Sequence, residues 1–336
     1  MRVTSSHPRS FRNRTGPLAV TAVALLGIAG CTTGSVDDGA GSDGTTELTI
    51  IRSPGGQFEP LFIAKEQGYF ADAGMTVDFT NGTGDPSANA PKLLNGQAQF
   101  AMLDGPTMLQ AVQKGLPVTA VGGVMRATPE DEAASGVLVP SDSPVDSLAE
   151  LSGKKVATPT LSGLPVLASK LALREADVDP SSVEFVKLPL NGLRDAVSSG
   201  KADALLTFSS FYQDAINDDF TDLTPSIGQL LPNSSPVLFA ASDEYLAEHA
   251  DVARKFQQVM AKAYDYADDN PDETRRVLAE HSELSEDYVE EHEPDDFSLK
   301  IDPHGMSNLA DVMVSFDRID EAPDMSDVIW EDTPRT

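Results

Sequence analysis

Residues 60–79, PLFIAKEQGYFADAGMTVDF, place a helix pattern directly before a strand pattern. Apolar and long side chains from Leu61 to Tyr69 recur at helical spacing, and Gly74 marks the end of a helix predicted over 61–74. The next residues, MTVDFT at 75–80, alternate as a half-buried strand does. A helix that leads directly into a strand is half of a βαβ unit, so this stretch predicts an α/β fold.

The same alternation extends in both directions from this stretch. The predicted strands lie at 47–53, 98–103 and 117–125, and the predicted helices lie at 85–96 and 106–115. Pro91 conflicts with the first of these helices, because a proline in a helix interior removes a backbone donor. Strands separated by helices of this length form parallel βαβ units, so the first part of the chain builds one α/β lobe.

A second α/β series follows the first. Its predicted strands lie at 154–159, 183–189 and 202–208, and each is followed by a helix. The pattern changes at 235–242, and the chain from Asp243 onward is predicted to be helical, so these helices should pack on an existing sheet. We therefore expect lobe one to comprise residues 47–138 and 240–336, and lobe two residues 139–239.

The N-terminal segment has the features of a lipoprotein signal peptide. Four arginines precede the apolar run 17–30, which is short for a bilayer span and typical of a signal-peptide core. The residues GIAGC at 27–31 resemble the bacterial lipobox, which implies cleavage before Cys31 and a lipid thioether on that cysteine. We expect a signal peptide at 1–30, a flexible tether at 31–46, and an extracytoplasmic protein anchored to the cell membrane.

The composition excludes some classes of partner. The chain has 24 Lys and Arg against 53 Asp and Glu, a formal charge of −29, and loss of the four signal-peptide arginines makes it −33. Such a charge argues against nucleic acid as a partner. Cys31 is the single cysteine, so the chain cannot form an internal disulfide and must rely on its core. We expect a monomer without a cofactor.

Five blocks of the sequence, in this order, resemble one family. They are similar to segments of the substrate-binding proteins of the nitrate, sulfonate and taurine ABC-transporter family, which also includes binders of the thiamine-precursor pyrimidine. The blocks are PLFIAKEQGYFADAGMTVDF (60–79), GTGDPSANAPKLLNGQAQFAMLDGPTMLQAVQKGLPVTAVGG (82–123), LAELSGKKVATP (148–159), SGKADALLTFSSFY (199–212) and KAYDYADDNPDE (262–273).

The resemblance implies a two-lobed, periplasmic-binding-protein-like (type II) α/β fold with parallel-rich sheets and a ligand cleft between the lobes. It implies a small-molecule ligand and ABC permease subunits as partners, with closure of the lobes about a hinge on ligand binding. The expected ligand is a small anion of the sulfonate, taurine or nitrate class. A pyrimidine or another aromatic ligand is the alternative, and an enzyme on the same scaffold is a further one.

The residues themselves place the ligand independently. In open parallel sheets small molecules lie beyond the carboxyl ends of the strands, where loops lead into helix N-termini. Four such loops are predicted, at 53–58, 81–85, 104–107 and 158–163. Glycines there let backbone approach a ligand, and hydroxyls offer hydrogen bonds. The candidate ligand-binding residues are Ser53, Gly56, Gln57, Phe58, Thr83, Gly84, Asp85, Asp104, Thr107, Thr160, Leu161, Ser162, Phe208 and Tyr212.

The sequence also allows purely structural roles for these residues. Small and polar residues in such loops also serve as turns and helix N-caps, and aromatic residues at helical or strand spacing also belong to cores. Two basic residues lie near the candidate loops, Arg52 and Arg126. Helix N-termini would suit an oxyanion, whereas the aromatic residues at 58, 208, 211 and 212 would suit a pyrimidine.

Catalytic and metal motifs are weak. Ser152 and Lys155 match a Ser-x-x-Lys spacing, but the other motifs of that enzyme class do not follow, and the segment fits a turn into a strand. The five histidines show no metal-ligand spacing, and there is no dinucleotide fingerprint, Walker A sequence or Gly-x-Ser-x-Gly elbow. We therefore expect no catalytic residue and no metal site.

Overall fold

A computed structural model describes residues 45–53, 56–82, 88–129, 134–208, 210–282, 284, 286–291 and 293–336. The predicted signal peptide, Cys31, and nearly all of the predicted tether lie outside the described residues, and so do Thr83, Gly84 and Asp85.

The described strands, in chain order, are β1 (Thr46–Arg52), β2 (Met75–Asn81), β3 (Phe100–Asp104), β4 (Val118–Gly123), β5 (Ser135–Pro140), β6 (Lys155–Thr158), β7 (Glu184–Lys187), β8 (Ala204–Phe208), β9 (Phe220–Asp222) and β10 (Val237–Ser242). The described helices are α1 (Glu59–Glu66), α2 (Tyr69–Asp72), α3 (Ala90–Leu94), α4 (Gly105–Gln113), α5 (Leu164–Glu175), α6 (Leu193–Ser198), α7 (Ser210–Asn217), α8 (Ile227–Leu230), α9 (Asp243–Glu248), α10 (Ala250–Asp269), α11 (Pro271–His281), α12 (Glu286–Glu291), α13 (Pro303–Ser315) and α14 (Met325–Val328).

The strands form two five-stranded sheets. The first has the order β2-β1-β3-β10-β4, in which β1 pairs in parallel with β2 and β3 while β10 runs antiparallel to β3 and β4. The second has the order β7-β6-β8-β5-β9, with β6 parallel to β7 and β8, and β5 antiparallel to both of its neighbours. The predicted two-lobed α/β fold is confirmed, with one antiparallel crossover strand inside each sheet.

The long C-terminal helix α10 covers one face of the first sheet. Its Phe256 is fully buried and stacks on Phe100 of β3, with ring centroids 4.2 Å apart. Gln257 donates from its side-chain amide to the carbonyl of Val121 in β4 at 2.8 Å. Helix α10 therefore packs its apolar face on an existing sheet, as predicted for the helical part of the chain after residue 243. The exact lobe boundaries stay a prediction.

Three local differences from the sequence-based expectation have clear causes. The helix predicted over 61–74 is interrupted at Gly68, whose φ of 76° lies in the left-handed region, so α1 and α2 are separate. The helix predicted from Asp85 begins at Ala90, which places Pro91 in the first turn, where its missing N–H leaves no bond unmade. Two short strands of the second sheet, β5 and β9, were not predicted.

Two chain segments join the sheets and run side by side. The backbone N–H of Val124 donates to the carbonyl of Val237 at 3.0 Å. The N–H of Ala127 donates to the carbonyl of Ser234 at 3.1 Å, and the N–H of Asn233 donates to the carbonyl of Ala127 at 2.8 Å. Gly228 lies so close to the carbonyl of Thr128 that a side chain there would collide with it. All described residues belong to one compact unit, and these paired segments connect its two sheets.

Candidate functional site

The start of α4 carries a carboxylate at the carboxyl end of β3. Asp104 is the N-cap residue, with extended backbone, and its side chain accepts a hydrogen bond from the backbone N–H of Thr107 at 2.7 Å. Pro106 lies in the first turn, where it fits without loss. The N-cap role of Asp104 is thus a local property of the sequence, and it holds the carboxylate at the edge of the first sheet.

The loop between β6 and α5 lies at the corresponding edge of the second sheet. Thr158 donates its hydroxyl to the carbonyl of Thr160 at 2.9 Å, and the hydroxyl of Thr160 accepts from the N–H of Ser162 at 3.2 Å. These bonds form a tight turn that leaves the side chain of Leu161 48% exposed. Gly163 follows with a φ of 89° and is the N-cap of α5.

These two helix starts meet. A Cβ atom on Gly163 would lie 3.2 Å from Oδ2 of Asp104, although Asp104 ends a strand of the first sheet and Gly163 follows a strand of the second. The loop with Thr160, Leu161 and Ser162 therefore lies opposite the α4 start with Asp104 and Thr107. The expectation that this loop faces Thr83, Gly84 and Asp85 stays a prediction, since those three residues are not described.

The loop after β1 makes its contacts with β3 and α11, unlike the α4 start and the loop between β6 and α5. The N–H of Ser53 contacts the sulfur of Met102 at 3.3 Å, which places Ser53 beside β3. Gln57 has a φ of 65°, and Gly56 is buried against Leu278 of α11. Phe58 is fully buried among the aromatic residues of the first sheet, so its ring contributes to the core in this structure.

Arg52 and Arg126, the two basic residues near the candidate loops, are both engaged. The Arg52 guanidinium lies 4.1 Å from the centre of the Phe58 ring and donates to the carbonyl of His281 at 2.8 Å. Burial lowers the pKa of Arg52 from its usual value. Arg126 forms an ion pair with Asp296 at 3.1 Å. Their charges are therefore partly committed to the fold rather than to a ligand.

Glu59, which is not among the candidate residues predicted from the sequence, is buried at the start of α1. Its side chain is 2% exposed, and its Oε2 atom has no hydrogen-bond partner among the described residues. Burial, aided by the nearby charge of Asp295, raises its pKa to about 8, against the opposing effect of backbone N–H groups and Arg52. The carboxyl of Glu59 is thus a proton-binding group inside the first lobe at neutral pH.

Phe208 and Tyr212 lie at the carboxyl end of β8. Phe208 is partly exposed and pairs with Ser135 of β5. Tyr212 is 7% exposed, and its hydroxyl donates to Oδ2 of Asp222 at 2.9 Å. Thr224 donates to the other oxygen of Asp222 through both its N–H and its hydroxyl, and burial raises the pKa of that carboxyl. The Tyr212 hydroxyl is therefore used inside the second sheet's own packing.

One group of side chains has the composition of a metal site. Ligand atoms of Glu66, Glu280 and His281 lie within 4.8 Å of one another. The guanidinium of Arg276 donates to both glutamates, at 2.6 Å for Glu280, so a cation of the protein already occupies the space between them. This arrangement is a surface ion-pair network between α1 and α11.

The fold and the facing helix starts define a class of protein. The structure is similar to the periplasmic aliphatic sulphonate-binding protein SsuA of Escherichia coli, with a TM-score of 0.72 and 18% identity, over 86% of this chain and 93% of that one. It is also similar to the alkanesulfonate-binding protein SsuA of Xanthomonas axonopodis pv. citri bound to MOPS, with a TM-score of 0.67 and 17% identity, over 86% of this chain and 98% of that one. The chain therefore has a periplasmic-binding-protein fold.

Sequence comparison adds the family. The NMT1/THI5-like family model matches residues 56–274, and the chain belongs to that family. The formylaminopyrimidine-binding protein of Halalkalibacterium halodurans is 25% identical over 286 residues, 83% of each chain. The riboflavin-binding protein RibY of Chloroflexus aurantiacus is 24% identical over 262 residues, 76% of this chain and 70% of that protein. Within the described residues, no helix combines the length and apolar character needed to cross a bilayer.

Proposed function

We propose that this protein is the extracytoplasmic solute-binding component of an ABC importer, and that it captures a small organic molecule between its two sheets. The meeting of the α4 start with the α5 start supports this, because a ligand there would contact both lobes at once. Contacts made to both lobes favour the closed form, which a permease then recognises. Membership of the family and the fold of its structural neighbours support the same function.

The Asp104 carboxylate narrows the ligand class. An ionised carboxylate accepts hydrogen bonds and donates none, so it favours a ligand that carries an N–H donor. Within the sulfonate, taurine and nitrate class expected from the sequence, taurine has such a group, whereas nitrate and a simple alkanesulfonate do not. We therefore propose an amino-bearing ligand, with taurine as the first candidate.

An aminopyrimidine is the second candidate ligand, and the Asp104 carboxylate favours it too. Its exocyclic amino group offers an N–H donor to Asp104, and the exposed side chain of Leu161 offers apolar surface to a ring. The formylaminopyrimidine-binding relative covers 83% of this chain, which also supports the candidate. Calorimetric titration with taurine, ethanesulfonate, nitrate, formylaminopyrimidine and riboflavin separates these ligands. Binding of none of the five, together with no small molecule in native mass spectra of the purified protein, would contradict the proposal.

Replacing Asp104 by asparagine is expected to lower the affinity for the bound ligand by roughly 10- to 100-fold, whichever of the five compounds that ligand is. This loss corresponds to one charge-assisted hydrogen bond. Asparagine is also a good N-cap, so the melting temperature should change little. Asp302→Asn, which alters the exposed N-cap of α13, is the matched control and should bind like the wild type. Equal affinity of the Asp104→Asn protein and the wild type would remove this carboxylate from the site.

Attachment to the membrane is proposed through Cys31, which lies outside the described residues. Cys31→Ala is expected to release the protein from the membrane fraction, because two or more acyl chains supply the anchoring free energy at about 0.8 kcal/mol per buried CH₂. Ligand affinity should stay unchanged. Fractionation followed by immunoblotting measures the effect, and a variant that remains in the membrane fraction would show that the anchor is not the thioether.

An enzymatic function on this scaffold is the less favoured proposal. The candidate residues offer the carboxylates of Asp85 and Asp104, the amide of Gln57, hydroxyls and backbone groups. No histidine or lysine is among them to activate a nucleophile. The named relatives and neighbours reported above are binding proteins.

A further inference from the structure

Three basic side chains lie together where α5 meets the end of α13. Lys170 and Arg174 are four residues apart on α5, which places them on the same face of that helix. The Arg174 guanidinium donates to the hydroxyl of Ser315, the last residue of α13, at 2.6 Å. Burial, and then the like charge of Arg318, lower the pKa of Lys170 from its usual value. The three cations therefore form one group.

Carboxylates are abundant in this chain, yet none of the described ones forms an ion pair with this group. The chain has 53 Asp and Glu against 24 Lys and Arg. By contrast, Arg275 and Arg276 of α11 each pair with two or more carboxylates. Cations held close together repel one another, and an anion between them removes that cost. The group therefore favours an anion that comes from outside the chain.

Aromatic rings and a hydroxyl hold two of these side chains in place. The Arg174 guanidinium lies 4.3 Å from the centre of the Phe316 ring, and the Lys170 ammonium lies 5.7 Å from the centre of the Phe185 ring. The Ser315 hydroxyl accepts from one of the five N–H groups that a guanidinium carries. Binding an anion to the remaining N–H groups costs little side-chain entropy, because the rings already order both side chains.

We propose that Lys170, Arg174 and Arg318 bind a phosphate group between α5 and the end of α13. A phosphate dianion neutralises more of this positive charge than one carboxylate does, and its oxygens match the donor fork of an arginine. The group comes either from a free phosphate ion or from a lipid headgroup. With a rise of about 1.5 Å per residue, Lys170 and Arg174 lie roughly 10 and 16 Å along α5 from Gly163. The site is thus separate from Asp104, and the proposal does not depend on the ligand bound there.

The test is a calorimetric titration of the full chain with inorganic phosphate at low ionic strength, with the melting temperature recorded alongside. The wild type is expected to bind phosphate, and phosphate should raise its melting temperature. Arg318→Gln should weaken phosphate binding about tenfold, as expected for the loss of one charge-assisted hydrogen bond. Without phosphate, this variant should melt at or above the temperature of the wild type, because it removes the repulsion with Lys170.

A second probe separates the two sources of the phosphate group. Dihexanoyl phosphatidylglycerol is a short-chain lipid that carries the headgroup without requiring a membrane. Binding of inorganic phosphate alone identifies the free ion as the occupant, whereas binding of the short-chain lipid identifies a headgroup. In either case Arg318→Gln should weaken the binding of that probe. Probe binding that persists in the Asp104→Asn protein keeps this proposal intact even if the proposed cleft ligand is wrong.

Arg254→Gln is the matched control, because Arg254 is an exposed arginine of α10 with its own ring contact, to Trp330, and an ion pair with Asp332. It changes the net charge by the same amount and should bind phosphate like the wild type. Arg174→Gln should weaken phosphate binding at least as much as Arg318→Gln does. Failure of the wild type to bind either probe, or equal probe affinity in the Arg318→Gln protein and the wild type, would overturn the proposal.

Discussion

Replacing Gly163 by valine is expected to lower the affinity for the ligand at least roughly tenfold. The ligand measured is taurine, or formylaminopyrimidine if that compound is the one that binds. A Cβ at this position would already lie 3.2 Å from Oδ2 of Asp104, and the valine methyl groups would extend into the space between the two helix starts. The bulk would keep the α5 start away from Asp104 and so reduce closure of the lobes. Calorimetric titration measures the affinity, and small-angle scattering with and without ligand measures closure.

The Gly163→Val substitution also strains the backbone, and this strain has to be separated from the loss of ligand affinity. Gly163 has a φ of 89°, which a β-branched residue adopts only at a cost of about 1–3 kcal/mol. Gly153 is a matched control, because its φ of 75° is also positive but nothing lies within 4 Å of its Cβ position. Gly153→Val should lose stability and keep its affinity. If both variants bind ligand like the wild type, the contact between Gly163 and Asp104 has no part in recognition.

Replacing Glu59 by glutamine is expected to stabilise the protein at alkaline pH by roughly 2–5 kcal/mol, with little effect near pH 4.5. Burial raises the pKa of Glu59 from 4.5 to about 8 in the folded state. Between these values the folded protein keeps a proton that the unfolded chain has lost, so stability falls as pH rises. Above pH 8 the buried carboxylate is ionised and the whole penalty is present. Glutamine stays neutral and retains an oxygen for the backbone N–H groups.

Thermal unfolding of the Glu59→Gln protein and the wild type, followed from pH 4.5 to 9, measures this difference. The gap between their melting temperatures should widen through the window from 4.5 to 8. Glu244→Gln, an exposed glutamate in the first turn of α9, is the control and should follow the wild type. Asp295 and Arg52 are the charged groups near Glu59, and Asp295→Asn should narrow the gap by removing a like charge. A gap that does not change with pH would show that Glu59 is not a buried carboxyl.

Local sequence patterns were sufficient to predict much of the fold. The stretch 60–79 specifies a helix and a strand through side-chain periodicity, which acts over a few residues and needs no distant partner. Asp104 could be assigned to a helix start for the same reason, since an N-cap depends on the next three residues. The break at Gly68 and the start of α3 at Ala90 were within reach of such rules, because positive φ and proline position are local properties too.

The sequence by itself thus determined the α/β class, the positions of most strands and the order of the family's segments. Only the tertiary structure decided which loops meet, because Gly163 and Asp104 are far apart in the chain and follow strands of different sheets. It also decided the burial of Glu59 at the start of α1. Burial and contact between distant residues depend on how whole elements pack, and the pattern of a short segment carries no information on that.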